Sequence, residues 1–104
     1  MDGAEVWQLD RTNFRMQAPG GGHVLLTRRE SQLLERLVRE PGSIVTRAEI
    51  LSLLGYDAGD PGSRALDAAI SRLRAKVHAE CGGALPLQTV QGAGFVFSGQ
   101  VRLA

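Results

Sequence analysis

The sequence predicts an α+β domain in which short strands come first, three helices follow and a hairpin closes the chain. Three observations predict it. Apolar and polar residues alternate before Leu26, and that two-residue period gives way to a helical one after it. Two short stretches, T-R-R-E from Thr27 and T-R-A-E from Thr46, have the composition of a capping box, in which the threonine hydroxyl caps a backbone N–H and the glutamate returns the bond. Near the end, two apolar runs flank Gln91-Gly92-Ala93-Gly94, the composition of a hairpin turn.

Val6 to Asp10 and Asn13 to Gln17 alternate about Arg11-Thr12, and His23 to Leu26 follows the turn Pro19-Gly20-Gly21-Gly22. These make a small antiparallel meander. The first helix starts at the Thr27 box, carries Leu33, Leu34, Leu37 and Val38 as its apolar stripe, runs to about Glu40 and stops at Pro41-Gly42. Ile44 and Val45 form at most a strand fragment. The second helix runs from the Thr46 box to about Leu54, and Gly55 to Gly62, rich in glycine and aspartate, reads as a loop.

The third helix starts near Ser63 and ends before Gly82-Gly83. Leu66, Ile70, Leu73 and Val77 stack along one side of it and give it a face to bury, whereas Arg64, Ser71, Arg72 and Ala75 fall on the opposite side. A helix whose outer face offers guanidinium groups and otherwise small side chains can lie close to a duplex, with Arg64 and Arg72 as the reaching groups. Leu87 to Val90 and Phe95 to Ser98 then form the hairpin. The order of elements contains a helix-turn-helix pair, with no internal repeat, low-complexity tract or second domain.

At 104 residues the chain has the length of one domain, and 43% hydrophobic with 22% charged residues is the composition of an ordinary globular one. Aromatic residues are only 5%, so the core must rest on aliphatic side chains with Trp7, Phe14, Phe95 and Phe97 as large anchors. No apolar run approaches the roughly 18 residues of a membrane span, and the M-D-G-A-E start lacks an export signal, so a cytoplasmic location is expected. A single cysteine, Cys81, excludes an internal disulfide and suits a reducing compartment. His78 and Cys81 are too few for a structural metal site, and no serine or cysteine has a recognisable catalytic partner, so neither an enzyme nor a cofactor is expected. Net charge is only +1, so any affinity for nucleic acid must come from how charge is distributed.

Three stretches carry a resemblance to a known family: L-T-R-R-E-S-Q-L-L from Leu26, D-A-A-I-S-R-L-R-A-K from Asp67 and T-V-Q-G-A-G-F from Thr89. With the spacing between them they resemble the effector domain of OmpR/PhoB-type two-component response regulators, a winged helix-turn-helix, over roughly Val6 to Val101. The resemblance implies sequence-specific binding of double-stranded DNA, with the third helix in the major groove and the hairpin as a wing toward the minor groove. It implies direct-repeat sites, a monomer off DNA and a head-to-tail dimer on it. The phosphoacceptor of such regulators belongs to a receiver domain that this chain lacks.

By the same resemblance, Arg64, Ser71, Arg72 and Arg74, with Lys76 in the same motif, sit where relatives contact bases or phosphates. Ala69 and Ser71 stand where relatives often carry His and Arg. In the wing, the Thr89 hydroxyl can bond a phosphate, and Gln91 stands where many relatives place Arg. Thr46 and Arg47 open the second helix, whose free N–H groups attract phosphate. The loop holding Tyr56, Asp57 and Asp60 corresponds to the segment relatives use on RNA polymerase. Asp67, one helical turn from Ser71 and two from Arg74, suits a structural bond. The alternative to DNA binding is a winged-helix module that docks a protein through the third helix or the acidic loop.

Overall fold

The structure, a computed structural model, describes residues 6–55 and 61–103. Strands β1 (Val6–Asp10), β2 (Arg15–Gln17) and β3 (His23–Leu25) form the expected meander, with Leu9 opposite Met16 and Met16 opposite Val24 across the antiparallel pairs. Those three side chains, with Trp7, are buried, so one face of the sheet joins the core, and the other is turned outward and polar except at places such as the exposed Leu25. The second strand starts later than the alternation predicts, at Arg15 instead of Asn13. The Asp10 carboxylate explains the shift: it accepts from the Thr12 and Asn13 backbone N–H groups at 3.1 Å and from Asn13 Nδ2 at 2.8 Å, drawing Asn13 into the turn. Phe14 closes that turn at φ 51° with its side chain 40% exposed, so it is not the core anchor its size suggested.

Helix α1 (Arg28–Arg39) forms because its capping box does: Glu30 N–H donates to Thr27 Oγ1 at 3.1 Å, and Thr27 N–H donates to Glu30 Oε1 at 2.8 Å. Leu33, Leu34, Leu37 and Val38 are buried, as their spacing requires. Strand β4 (Ile44–Thr46) leads into α2 (Arg47–Leu54), whose cap Thr46 accepts from Glu49 N–H at 3.1 Å. Gly55, at φ 86°, ends α2 by donating its N–H to the last carbonyls, the left-handed geometry glycine adopts without strain.

Helix α3 (Pro61–Cys81) begins two residues earlier than Ser63. Pro61 and Gly62 read as loop residues, but proline has no N–H to lose in the first helical turn and its fixed φ suits that position. Leu66, Ile70, Leu73 and Val77 are all buried, and Gly82 N–H bonds the His78 carbonyl at 3.0 Å where the helix ends.

Strands β5 (Leu87–Val90) and β6 (Gly94–Phe97) form the expected hairpin, with β6 one residue earlier than predicted: Ser98 N–H still donates to the carbonyl of Pro86, opposite it in the register, at 2.8 Å, but proline has no N–H to return the bond and the ladder ends there. The Ile44–Val45 fragment is more than a fragment: as β4 it pairs antiparallel with β6, making a three-stranded sheet in the order β4-β6-β5. A Cβ at Gly94 would collide with the Val45 carbonyl and lie 2.8 Å from Thr46 Cα, so only glycine lets the two strands approach this closely. Strand β7 (Gln100–Leu103) was not expected. It lies parallel to β1, Val6 opposite Gln100 through Leu9 opposite Leu103, and extends the first sheet to the order β3-β2-β1-β7.

Candidate nucleic-acid interface

Helix α3 is fixed from beneath by its buried stripe and from both flanks by ionic groups. On one flank Arg74 donates to the Leu87 carbonyl, from Nη2 at 2.8 Å and Nε at 3.3 Å, and reaches Thr89 Oγ1 at 3.1 Å. This fastens the helix to the hairpin. On the other flank Lys76 Nζ lies 2.7 Å from Glu30 Oε1 and fastens it to the capping box of α1. Burial opposes ionisation of Glu30, but the hydrogen bonds from Lys76 and the Thr27 backbone outweigh it and hold the carboxyl below its ordinary range.

What remains outward is Arg64, Asp67, Ala68, Ser71, Arg72 and Ala75, all exposed. Arg64 and Arg72 make no hydrogen bond or ion pair among the described residues. Arg72 borders a cavity of about 190 Å³ between the helices, lined also by Leu33, Leu54, Leu66 and Ala69. Two cations are thus presented among small side chains, on a helix that its neighbours hold rigidly.

The remaining expected residues divide. Arg47, at the start of α2, lies 2.7 Å from Asp67 Oδ1 and 5.7 Å from the centroid of the Phe95 ring, which ties α2, α3 and β6 together at one point. Asp67 does have a structural bond, but to Arg47 and not to Ser71 or Arg74. Nearby, Glu49 of α2 bonds Arg36 of α1 at 2.7 Å, and that hydrogen bond lowers its carboxyl pKa. Thr46 is occupied as a cap. Gln91 lies exposed in the hairpin turn, where Ala93 N–H bonds the Val90 carbonyl at 2.9 Å and Gly92 takes φ 80°. Thr89 is exposed on β5, its hydroxyl taken by Arg74. Tyr56, Asp57 and Asp60 lie outside the described residues.

Sequence reasoning missed the three links Arg47–Asp67, Arg74–Leu87 and Lys76–Glu30. They join residues 20, 13 and 46 positions apart, and local spacing carries no signal at such distances. Away from this face a hollow of about 760 Å³, lined by Trp7, Cys81, Pro86 and Gly99 among others, offers no set of catalytic groups; burial raises the Cys81 thiol above its usual pKa. Among the described residues no group of His, Cys, Asp and Glu could hold a metal ion, and no helix is long and apolar enough to cross a membrane.

The family "Transcriptional regulatory protein, C terminal" matches residues 21–97. The chain belongs to this family. Its members are DNA-binding regulator domains, not enzymes, and the OmpR/PhoB-type resemblance of the three motifs is shown by the relatives that match. The chain is 29% identical over 98 residues to the regulatory protein VirG of Agrobacterium tumefaciens, covering 94% of this chain and 37% of VirG. It is 35% identical over 74 residues to the transcriptional regulatory protein CreB of Escherichia coli, covering 71% of this chain and 32% of CreB. It therefore spans roughly a third of the length of these relatives. The fold is similar to the DNA-binding domain of Klebsiella pneumoniae RstA, solved in complex with the RstA box, with a TM-score of 0.65, 30% identity and coverage of 84% of this chain and 85% of that one. It is also similar to the DNA-binding domain of the response regulator AdeR, with a TM-score of 0.73, 20% identity and coverage of 89% and 94%. The fold is thus a winged helix-turn-helix, with the hairpin of β5 and β6 as its wing.

Proposed function

We propose that this chain binds double-stranded DNA in a sequence-specific manner as the effector domain of a two-component transcriptional regulator. The observation that carries the reading is the outer face of α3, where Arg64 and Arg72 stand unpaired among the described residues between Ala68, Ser71 and Ala75. Arginine suits this role because its planar fork bonds guanine O6 and N7, or two phosphate oxygens, at once. Thr46 and Arg47 at the start of α2, with Arg74, Lys76, Thr89 and Gln91 at the rims, would border the backbone on either side. Of these, Arg74 and Lys76 already hold the helix in place, so their part is to position α3 as much as to meet phosphate.

The finer reading adds direct-repeat sites bound head-to-tail, a monomer off DNA, a receiver domain elsewhere in a longer regulator and a contact to RNA polymerase through the loop of Tyr56, Asp57 and Asp60. Selection from a random duplex pool, followed by an electrophoretic shift across a salt series, tests it. Enrichment of repeated half-sites, and affinity that falls steeply with salt, are expected.

Net charge of +1 and the engagement of Arg47, Arg74 and Lys76 within the fold favour the second reading, a winged-helix module that docks a protein. A domain that selects no sequence and whose weak binding is indifferent to salt would support that reading instead.

A further inference from the structure

The cavity of about 190 Å³ between α1, α2 and α3 leads from the core to the outer face of the third helix. The buried Leu33, Leu54 and Leu66 give it an aliphatic floor, and Arg29, Glu30 and Arg72 border it with charge. Ala65 and Ala69 leave the space open, since neither side chain extends beyond its Cβ. Protein interiors hold few voids larger than a water molecule, and the atoms lining such a void lack contacts on one side. An apolar cavity of roughly 150 Å³ is enough to hold a benzene ring. The bordering charges favour an anion beside that ring. Glu30 is already matched by Lys76 at 2.7 Å and by the Thr27 N–H at 2.8 Å, whereas Arg72 is exposed and makes no hydrogen bond or ion pair among the described residues.

We propose that this cavity binds a small aryl carboxylate, with its ring against Leu33, Leu54 and Leu66 and its carboxylate on the guanidinium of Arg72, and that the occupant thereby competes with DNA. The volume suits a single ring. A carboxylate meets the planar guanidinium in a bidentate pair, which an alcohol or an amine cannot form. Filling the void also restores the contacts that its lining lacks, so the occupant stabilises the fold. The competition, but not the site itself, rests on the DNA-binding reading. Arg72 is one of the two outward cations of that face, and pairing with a carboxylate takes up the charge and the donor edge that would meet a base or a phosphate.

The test titrates the protein with sodium phenylacetate, with sodium acetate as the head without the ring and benzyl alcohol as the ring without the charge, and follows amide NMR shifts and thermal melts. Wild type should bind phenylacetate with a dissociation constant on the order of 1 mM. At about ten times that concentration its melting temperature should rise by about 5 °C. Acetate and benzyl alcohol should bind at least about tenfold more weakly, and Arg72→Gln should lose about tenfold in affinity for phenylacetate. Ala69→Leu, which puts side-chain volume into the cavity, should not bind it; should that variant fail to fold, Arg72→Gln, at an exposed position, decides. Unchanged affinity in either folded variant, or acetate binding as well as phenylacetate, overturns the site. Saturating phenylacetate should also weaken binding to the selected duplex about tenfold, measured against an equal concentration of sodium acetate as the ionic control. If the two salts act alike on DNA binding while phenylacetate occupies the cavity, the competition is overturned and the site stands. If wild type binds no duplex, the DNA-binding reading falls together with the competition, and the titration alone decides the site.

Discussion

Lys76 Nζ and Glu30 Oε1 meet at 2.7 Å across 46 residues of chain, and the same carboxylate oxygen accepts the Thr27 N–H at 2.8 Å. One carboxylate thus serves as both the cap of α1 and the anchor of α3. Its folded pKa is lowered from an ordinary 4.5, so the stability it contributes is present above that value and is lost as pH falls through the folded pKa. Urea denaturation between pH 6 and pH 3 should show a loss of stability below about pH 4.5 that Glu30→Gln flattens. At neutral pH, Glu30→Gln should cost about 1 to 2 kcal/mol, as a cap and a charged hydrogen bond weaken together.

Arg72 and Arg74 stand two positions apart and should fail differently. Arg72→Ala should weaken binding to the selected site by about 1 to 3 kcal/mol and leave the melting temperature nearly unchanged, because the guanidinium has no partner to lose within the described protein. Arg74→Ala removes three hydrogen bonds to the hairpin, including those to the carbonyl of the buried Leu87. It should destabilise the fold by about 1 to 2 kcal/mol. Paired melts and binding isotherms separate the two, and equal melting losses would contradict the assignment of Arg74 as the staple.

Gln91→Arg tests the wing by a gain of function. Gln91 is an exposed turn residue, so stability should hardly move. If the hairpin approaches the duplex, an added cation should raise affinity by about 1 kcal/mol at low salt and steepen the salt slope. Coincident binding curves for mutant and wild type would show that the wing does not reach DNA.

Gly94→Ala places a methyl group into the Val45 carbonyl and against Thr46, where backbone and not a yielding side chain stands. A loss of about 3 kcal/mol in chemical denaturation is expected. Gly92→Ala meets nothing within 4 Å but keeps a positive φ of 80°, so its loss should be about 1 kcal/mol. Equal losses at the two glycines would mean that β4 and β6 can separate at little cost.

Much of this was legible in local pattern. The Thr27 capping box, the Leu66-Ile70-Leu73-Val77 stripe and the outward placement of Arg64 and Arg72 all follow from helical periodicity, which acts over a few residues. The outer strands did not follow. Gln100–Leu103 alternates after Ser98-Gly99, but four residues are too few to mark a strand by pattern alone, and its partner β1 lies at the far end of the sequence. Ile44–Thr46 looked too short until β6 offered it a neighbour. Phe14 shows the opposite error, since size suggested burial while the hydrogen bonds of Asp10 placed it at the end of an exposed turn. Within the site, the outward cations were readable from spacing, but whether a cation was already engaged depended on contacts such as Arg47–Asp67 that only the tertiary arrangement creates.

The parallel pairing of β1 with β7 has a mechanical meaning. Val6 begins one strand and Leu103 ends the other, so these residues lie at opposite ends of the paired stretch. A pull applied between them drags the strands past each other in shear, and the rungs of the ladder bear the load side by side instead of parting one after another as in an unzipping hairpin. Tension transmitted through both ends of the domain would be resisted by this clamp before it could disturb the bed on which α3 rests.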